Sequence, residues 1–368
     1  MLIRLLALVY VFHVLEVSRG ETLKLELNYG YMRDYGFGLF TLVVADGKRL
    51  HTLVDTASDS FILIWKRWLE QASGLPCSAW LMGCYKCSKS CLKGKVTKVI
   101  SFEDDYMVHI VEHKAKLTLG QVSPILTFGL IFGQKPSISE VAPSNSMGLG
   151  YDKGDVNFPS LMTQLLASKT VTTGTFALYL SPPADPSHNY ADGGLLLGGG
   201  DPALYEGGLK YVDFTSDKHY MVNLDKLQVG DGHITPGINM ELYLDTGSNN
   251  LYVPKLYYNG LIEEIKAQTD KAAGTHVDFT FHTEDEMWQF PCEHIRKLPR
   301  LRFGLGPNGV TPFTMTYMNY ARNISNVCAL LISEDEGDYW LFGDRMLIGN
   351  YFEFDPTSKR VGIGKLKS

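Results

Sequence analysis

Two short stretches of this chain are near-copies of one another. LVDTASDS (Leu53–Ser60) and YLDTGSNN (Tyr243–Asn250) both read apolar–Asp–Thr–small–Ser, 190 positions apart. One Asp-Thr pair alone carries no information. Here each copy is followed at a similar distance by an apolar–Gly step: Gly148 of Met147–Gly148 lies 93 positions after Asp55, and Gly343 of Phe342–Gly343 lies 98 after Asp245. That ordered set predicts two lobes built alike, each with an Asp-Thr loop and an apolar-Gly strand closing beneath it.

The segments between the motifs are rich in strand signals. GLFTLVV, KLTLG, GTFALYLS, GGLLLGG, LKYVDF, YFEFD and RVGIGK are short β-branched and aromatic runs bounded by Gly, Pro or Asp. Helical spacing is rare. FPSLMTQLLASK (158–169) sets Leu161, Leu165 and Leu166 on one face, and NGLIEEIKAQTD (259–270) does the same with Ile262, Ile265 and Ala267. Sandwiches or barrels are therefore favoured over a doubly wound parallel sheet.

The N-terminus sets the compartment. Arg4 precedes the apolar run LLALVYVF, and Ser18 and Gly20 supply small residues for cleavage, so 1–20 reads as a secretory signal. Its loss takes the formal charge from −6 to −7, a poor balance for nucleic acid or anionic membrane. Six cysteines, an even number, suit an oxidising compartment. Cys77, Cys84, Cys87 and Cys91 are local, which suggests two bridges among them in an order the sequence leaves open. Cys292 and Cys328 are left for a third. Asn323 opens the sequon NIS, a candidate glycan site.

If the two loops meet at a lobe interface, Asp55 and Asp245 come within hydrogen-bonding reach. Like charges that close cannot both ionise easily, so the pair holds one proton over a broad acidic range. The ionised member polarises a water, and the protonated one donates to a peptide carbonyl. Thr56 and Thr246 suit bonds across the interface, and Ser58 and Ser248 suit bonds to the outer carboxylate oxygens. A small residue is needed after each Thr, Ala57 and Gly247 here, because the backbone passes close to substrate.

With these motifs in order, the chain resembles the pepsin-like aspartic endopeptidases over nearly all of its mature length. The segment 192–230 is similar to the family's inter-lobe passage, and LPRLRF, WLFGDRML and YFEFDPTSKRVGIGK match its C-terminal lobe in order. The shared-proton carboxyl pair is itself the standard illustration from that family. The resemblance implies an all-β bilobal fold, with a signal at 1–20, a first lobe over 21–200 and a second over 201–368. It also implies a long cleft for an extended peptide, no metal and no cofactor, and a Cys292–Cys328 bridge. The four-cysteine loop is similar to that of invertebrate members.

Three departures bear on activity. Ala57 stands where the family has glycine. The flap region, ISFEDDYMVHIVEHKAKLTLG, has no glycine before Gly120, carries Glu103, Asp104 and Asp105 near its tip, and offers Tyr106 for the flap tyrosine. With the altered flap goes the tryptophan that usually follows the first motif, since Ile62 stands there with Trp65 beyond it. Finally, the chain passes from Gly20 almost directly into the first strand, with no basic prosegment.

Other signals are weaker. GLGPNG (304–309) has dinucleotide-loop spacing, but Pro307 and the strand-like TPFTMTY after it predict a hairpin turn. His109 and His113 in HIVEH share a face of a regular strand, but exposed hairpin histidines are the expectation. CYKC is read as disulfide-bonded, and Asp59 as a loop-bonding acid. The expected function is a monomeric aspartic endopeptidase, secreted or in an endomembrane or lysosome-like compartment, acting on peptides or proteins. The alternative is a catalytically weak or inactive protein of the same fold that binds peptides in the cleft.

Overall fold

The computed structural model describes residues 22–87, 91, 96–102, 105–185, 189–324 and 327–367. The secretory-signal reading of 1–20 and the acids Glu103 and Asp104 fall outside these residues.

Strand Leu23–Met32 shows how the sequence makes sheet here. Leu23, Leu25, Leu27 and Tyr29 alternate inward while Lys24, Glu26 and Asn28 face out. It lies antiparallel to Gly36–Ala45 on one side and to Ala191–Leu197 on the other. Most of the chain follows the same rule, and each of the seven quoted strand runs falls in a strand. The described strands form sheets of thirteen, eight and four strands.

Each half repeats one crossing pattern. In the first, Lys48–Asp55 runs parallel to Ser146–Gly148, which pairs antiparallel with Phe61–Ile64, itself parallel to Ile125–Lys135. In the second, Met240–Leu244 runs parallel to Tyr339–Phe342, which pairs antiparallel with Leu251–Pro254, itself parallel to Ile332–Asp335. The apolar–Gly steps are the middle strands of these two sets.

The lobes are stitched by the chain's end. Asn350–Asp355 and Arg360–Lys365 return to the first lobe's sheet, pairing with Phe176–Leu180 and Lys210–Asp213. A cut at 200/201 therefore divides the sequence but not the sheet. Stacked Phe176 and Phe354 (ring centres 4.9 Å apart) and Tyr220 fill the space beneath it.

Helices are few and short apart from Lys255–Ala273. Its buried stripe is Leu261, Ile262, Ile265 and Thr269, so Ala267 lies off it, as Leu166 lies off the buried face of Leu161–Ala167. A third helix, Lys66–Ser73, has no counterpart in the sequence reading. It buries only Leu69 and ends at left-handed Gly74, too short to show a periodicity.

The local cysteines pair as Cys77–Cys84 and Cys87–Cys91, and Cys292 bonds Cys328. The last bridge spans 36 positions, for which loop-closure entropy gives about 4 kcal/mol. The Cys292→Ala/Cys328→Ala double variant should lose most of that in denaturant-unfolding free energy. A loss under about 1 kcal/mol would contradict an entropic role for the bridge.

Candidate active site

Both Asp-Thr loops leave the ends of buried strands, Lys48–Asp55 and Met240–Leu244, and meet face to face. Thr56 N–H donates to Thr246 Oγ1 (3.1 Å) and Thr246 N–H to Thr56 Oγ1 (3.0 Å). Each hydroxyl then donates onward across the interface, Thr56 to Leu244 O and Thr246 to Val54 O, both at 2.7 Å. Each threonine is 1% exposed, so these bonds have no competition from water.

The carboxyl groups sit just above this brace. Asp55 Oδ1 accepts the N–H groups of Ala57 (2.8 Å) and Ser58 (3.2 Å). Asp245 Oδ1 accepts Gly247 N–H (2.8 Å), and its Oδ2 accepts the Ser248 hydroxyl (2.7 Å). The expected hydroxyl bond from Ser58 is not made. Its Oγ accepts Ser60 N–H (3.1 Å) instead, and its backbone amide serves the carboxyl. The two loops are thus alike in path but not in every bond.

Gly247 marks how close the carboxyls lie. A methyl placed on it would sit 2.9 Å from Asp55 Oδ1 and 3.1 Å from Asp245 Oδ1. Only hydrogen fits there. Its counterpart Ala57 carries that methyl in the other loop, and its carbonyl accepts Tyr243 OH (3.3 Å), which also bonds His219 Nδ1 (2.9 Å).

The floor beneath each loop is equally tight. A methyl on Gly148 would meet Ser58 O at 2.5 Å, and one on Gly343 would meet Ser248 O at 2.6 Å. This explains the glycine of each apolar–Gly step: the strand passes against the loop's own backbone. Asp344, next along, lies 1% exposed under the second loop. Its position after the glycine in WLFGDRML was the available signal, but nothing in the sequence marked it as buried.

Burial raises the pKa of Asp55, while the Ala57 and Ser58 amides and the Lys153 charge pull it down. Asp344 is pushed well above the ordinary carboxylate range by burial, with Arg345 and Arg322 pulling against it and the Asp245 charge adding to the rise.

Other candidates fall elsewhere. Tyr106 is 8% exposed, stacks on Phe102 (5.4 Å) and directs its hydroxyl to Gln134 Oε1 (3.4 Å), within an apolar cluster that includes Ile62. Asp59 accepts the Ser60 hydroxyl of its own loop and Lys153 N–H from a distant segment, both at 3.3 Å. His109 and His113 do not share a face, because a bulge after His109 shifts the register. His113 is half-buried against Phe128 and bonds Tyr85 OH, against the expectation of exposure. It lies near Cys87 and Cys91, whose sulfurs are bonded to each other. GLGPNG is the turn between strands Leu301–Leu305 and Thr311–Met315, with no long helix after it. Asn323, half-buried in strand Ala321–Ile324, gives its carbonyl to Asn189 Nδ2 (2.7 Å); Ser325 of its sequon lies outside the described residues.

The sequence model of the family described as "Eukaryotic aspartyl protease" matches residues 68–366, most of the chain. The chain belongs to that family. Cathepsin D of Homo sapiens is 28% identical over 254 residues, covering 64% of this chain and 56% of its own. Pepsin B of Canis lupus familiaris is 24% identical over 279 residues (73% and 64%), and gastricsin of Oryctolagus cuniculus 28% over 231 (60% and 54%). The chain thus spans between half and two thirds of the length of these relatives. The family match begins after the first Asp-Thr loop and includes the second. Placement of Asp55 beside Asp245 therefore rests on the geometry above.

A carboxyl whose pKa rises on folding binds more protons folded than unfolded, so stability falls as pH climbs from its ordinary value of 3.8 through the raised one. Asp55→Asn removes that loss. At pH 7 its Tm should exceed wild type by roughly 1–3 °C, and the difference should fade toward pH ~3. An equal Tm difference at both pH values would contradict the burial argument.

Proposed function

We propose that this member of the aspartyl protease family is an acid-active endopeptidase in which Asp55 and Asp245 share one proton and act on a water between them. The observation that carries this reading is the approach of both carboxyls to one glycine, Gly247, where a methyl would meet Asp55 Oδ1 at 2.9 Å and Asp245 Oδ1 at 3.1 Å. In the reaction, the ionised aspartate takes a proton from water as its oxygen attacks the peptide carbonyl carbon. The protonated aspartate gives its proton to the carbonyl oxygen. Collapse of the tetrahedral adduct then breaks the C–N bond, with the nitrogen taking a proton from the pair. Thr56 and Thr246 hold the loops in register, and Ser248 orients Asp245. Tyr106 belongs to the hairpin proposed as the flap, between strands Thr97–Ser101 and Met107–Leu119.

The substrate in this reading is an extended peptide between a first lobe, 21–200, and a second, 201–368, and the protein acts as a monomer. Three disulfides favour a secreted or endomembrane location. Among the described residues no helix is long and apolar enough to cross a membrane. Removal of 1–20 as a signal and a glycan on Asn323 complete the proposal.

A second reading is favoured by Ala57. It puts a methyl at the loop position whose counterpart, Gly247, has no room for one, and a methyl there would crowd the carboxyl pair and the attacking water. A misplacement near 1 Å costs about 100-fold in rate. The chain would then be a cleft that binds peptides with little turnover.

One assay separates the two. Protein beginning after residue 20 is incubated with an unfolded substrate between about pH 3 and 5. Under the first reading it cleaves, Asp245→Asn lowers the rate by at least about 100-fold, and Ala57→Gly raises it. Cleavage that survives Asp245→Asn would contradict the assignment. Absence of cleavage at any pH, together with binding of a statine-type transition-state mimic, would establish the second reading.

A further inference from the structure

The seats beneath the two aspartates are built alike, but only one is charged. In the first lobe Gly148 N–H bonds Ser60 O (3.1 Å) and Gly150 N–H bonds Ser58 O (2.7 Å). In the second, Gly343 N–H bonds Asn250 O (3.1 Å) and Asp344 N–H bonds Ser248 O (2.7 Å). Where the first lobe has Leu149 and Gly150, the second has Asp344 and Arg345. They open the short turn Asp344–Leu347, and the strand just before it is tied directly to the second loop, since Asp245 N–H donates to Phe342 O (3.0 Å).

Arg345 is 6% exposed. One of its terminal nitrogens donates to Met318 O and to Ala321 O (3.1 Å), and its guanidinium carbon lies 5.1 Å from the Tyr29 ring centre. Its Nε and Nη1, with Arg322 Nε and Asp344 Oδ1, are buried without a hydrogen-bond partner among the described residues. Buried idle donors are costly. The ionisable groups around the Arg345 guanidinium are Asp344 on its own segment, Arg322 on strand Ala321–Ile324, Tyr29 on the first strand and Asp245 on the loop above. Asp55 and the exposed Lys153 complete the set on the far side of the pair.

We propose that Arg345, backed by Arg322, is a positioning residue of the carboxyl pair: its charge lies beneath the second loop, where Asp344 N–H holds Ser248 O and Ser248 holds Asp245, and makes Asp245 the member that carries the negative charge. This rests on the reading of Asp55 and Asp245 as a functional pair. Burial favours the neutral form of Asp344, so the negative charge of the pair faces two guanidiniums. Without Arg345 one of the two cations is gone, and both proton-binding steps of the pair move to higher pH.

The test is Arg345→Met against Arg345→Lys in the whole chain. It is read by 13C NMR titration of the Asp55 and Asp245 carboxyls, which needs no turnover, and by the pH profile of cleavage. Arg345→Met should raise both titration midpoints by about one pH unit, a tenfold change in proton affinity. Both limbs of the cleavage profile should move with them, and Arg345→Lys should stay near wild type. A folded Arg345→Met with unmoved midpoints overturns the proposal. Should that variant not fold, Arg322→Gln should shift both midpoints upward by a smaller amount, and no shift there is equally decisive against it. Shifted carboxyls in a protein without turnover support the inference while ending the peptidase reading. Turnover with unshifted carboxyls does the reverse.

Discussion

Everything at the candidate site depends on one exchange of hydrogen bonds between Thr56 and Thr246. Each hydroxyl accepts an amide proton from the opposite loop and passes its own proton to a carbonyl on the opposite strand. Four bonds, all buried, fix the two loops against each other in register. The carboxyls one position earlier are then held beside Gly247, and burial holds up the Asp55 pKa. If the loops part, both the proximity and the desolvation go with them.

The two-fold likeness of the lobes explains the geometry, and the departures from it point to the chemistry. Glycine beneath each loop is a steric necessity in both halves, because Ser58 O and Ser248 O come too close for a methyl. The loops themselves differ at Ala57 and Gly247, and their serines serve the carboxyls differently. The floors differ as well, apolar under Asp55 and charged under Asp245. A symmetric pair would share its proton evenly. On the proposal above, the uneven field beneath this pair decides where the proton rests.

How much of this was legible in the sequence follows from how local each signal is. The strands of the platform were readable because alternation and bounding glycines are local, as in Leu23–Met32 and Arg360–Lys365. The site was readable in outline because a duplicated motif constrains two distant segments at once. Features decided by a single register step were not. One bulge at His109 turned His113 inward, and the stripe of the long helix runs from Ile265 to Thr269, leaving Ala267 exposed on another face. The burial of Asp344 and Arg345 was hidden for a similar reason. Two charged residues after a glycine look like a solvated turn until the loop above them is in place. The crossing of the last two strands into the first lobe's sheet is a long-range pairing with no local trace.

The central claim is that the two Asp-Thr loops form one mechanical unit, and a double-mutant cycle on Thr56→Val and Thr246→Val tests it most directly. Each single change leaves a buried amide and a buried carbonyl unpaired, at a cost of about 2–4 kcal/mol in unfolding free energy. Once one hydroxyl is lost the loops separate and the other's bonds go too. The double variant should therefore lose less than the sum of the singles by at least about 1 kcal/mol. Costs that add to within about 0.5 kcal/mol would mean the loops are held independently, and would contradict the account.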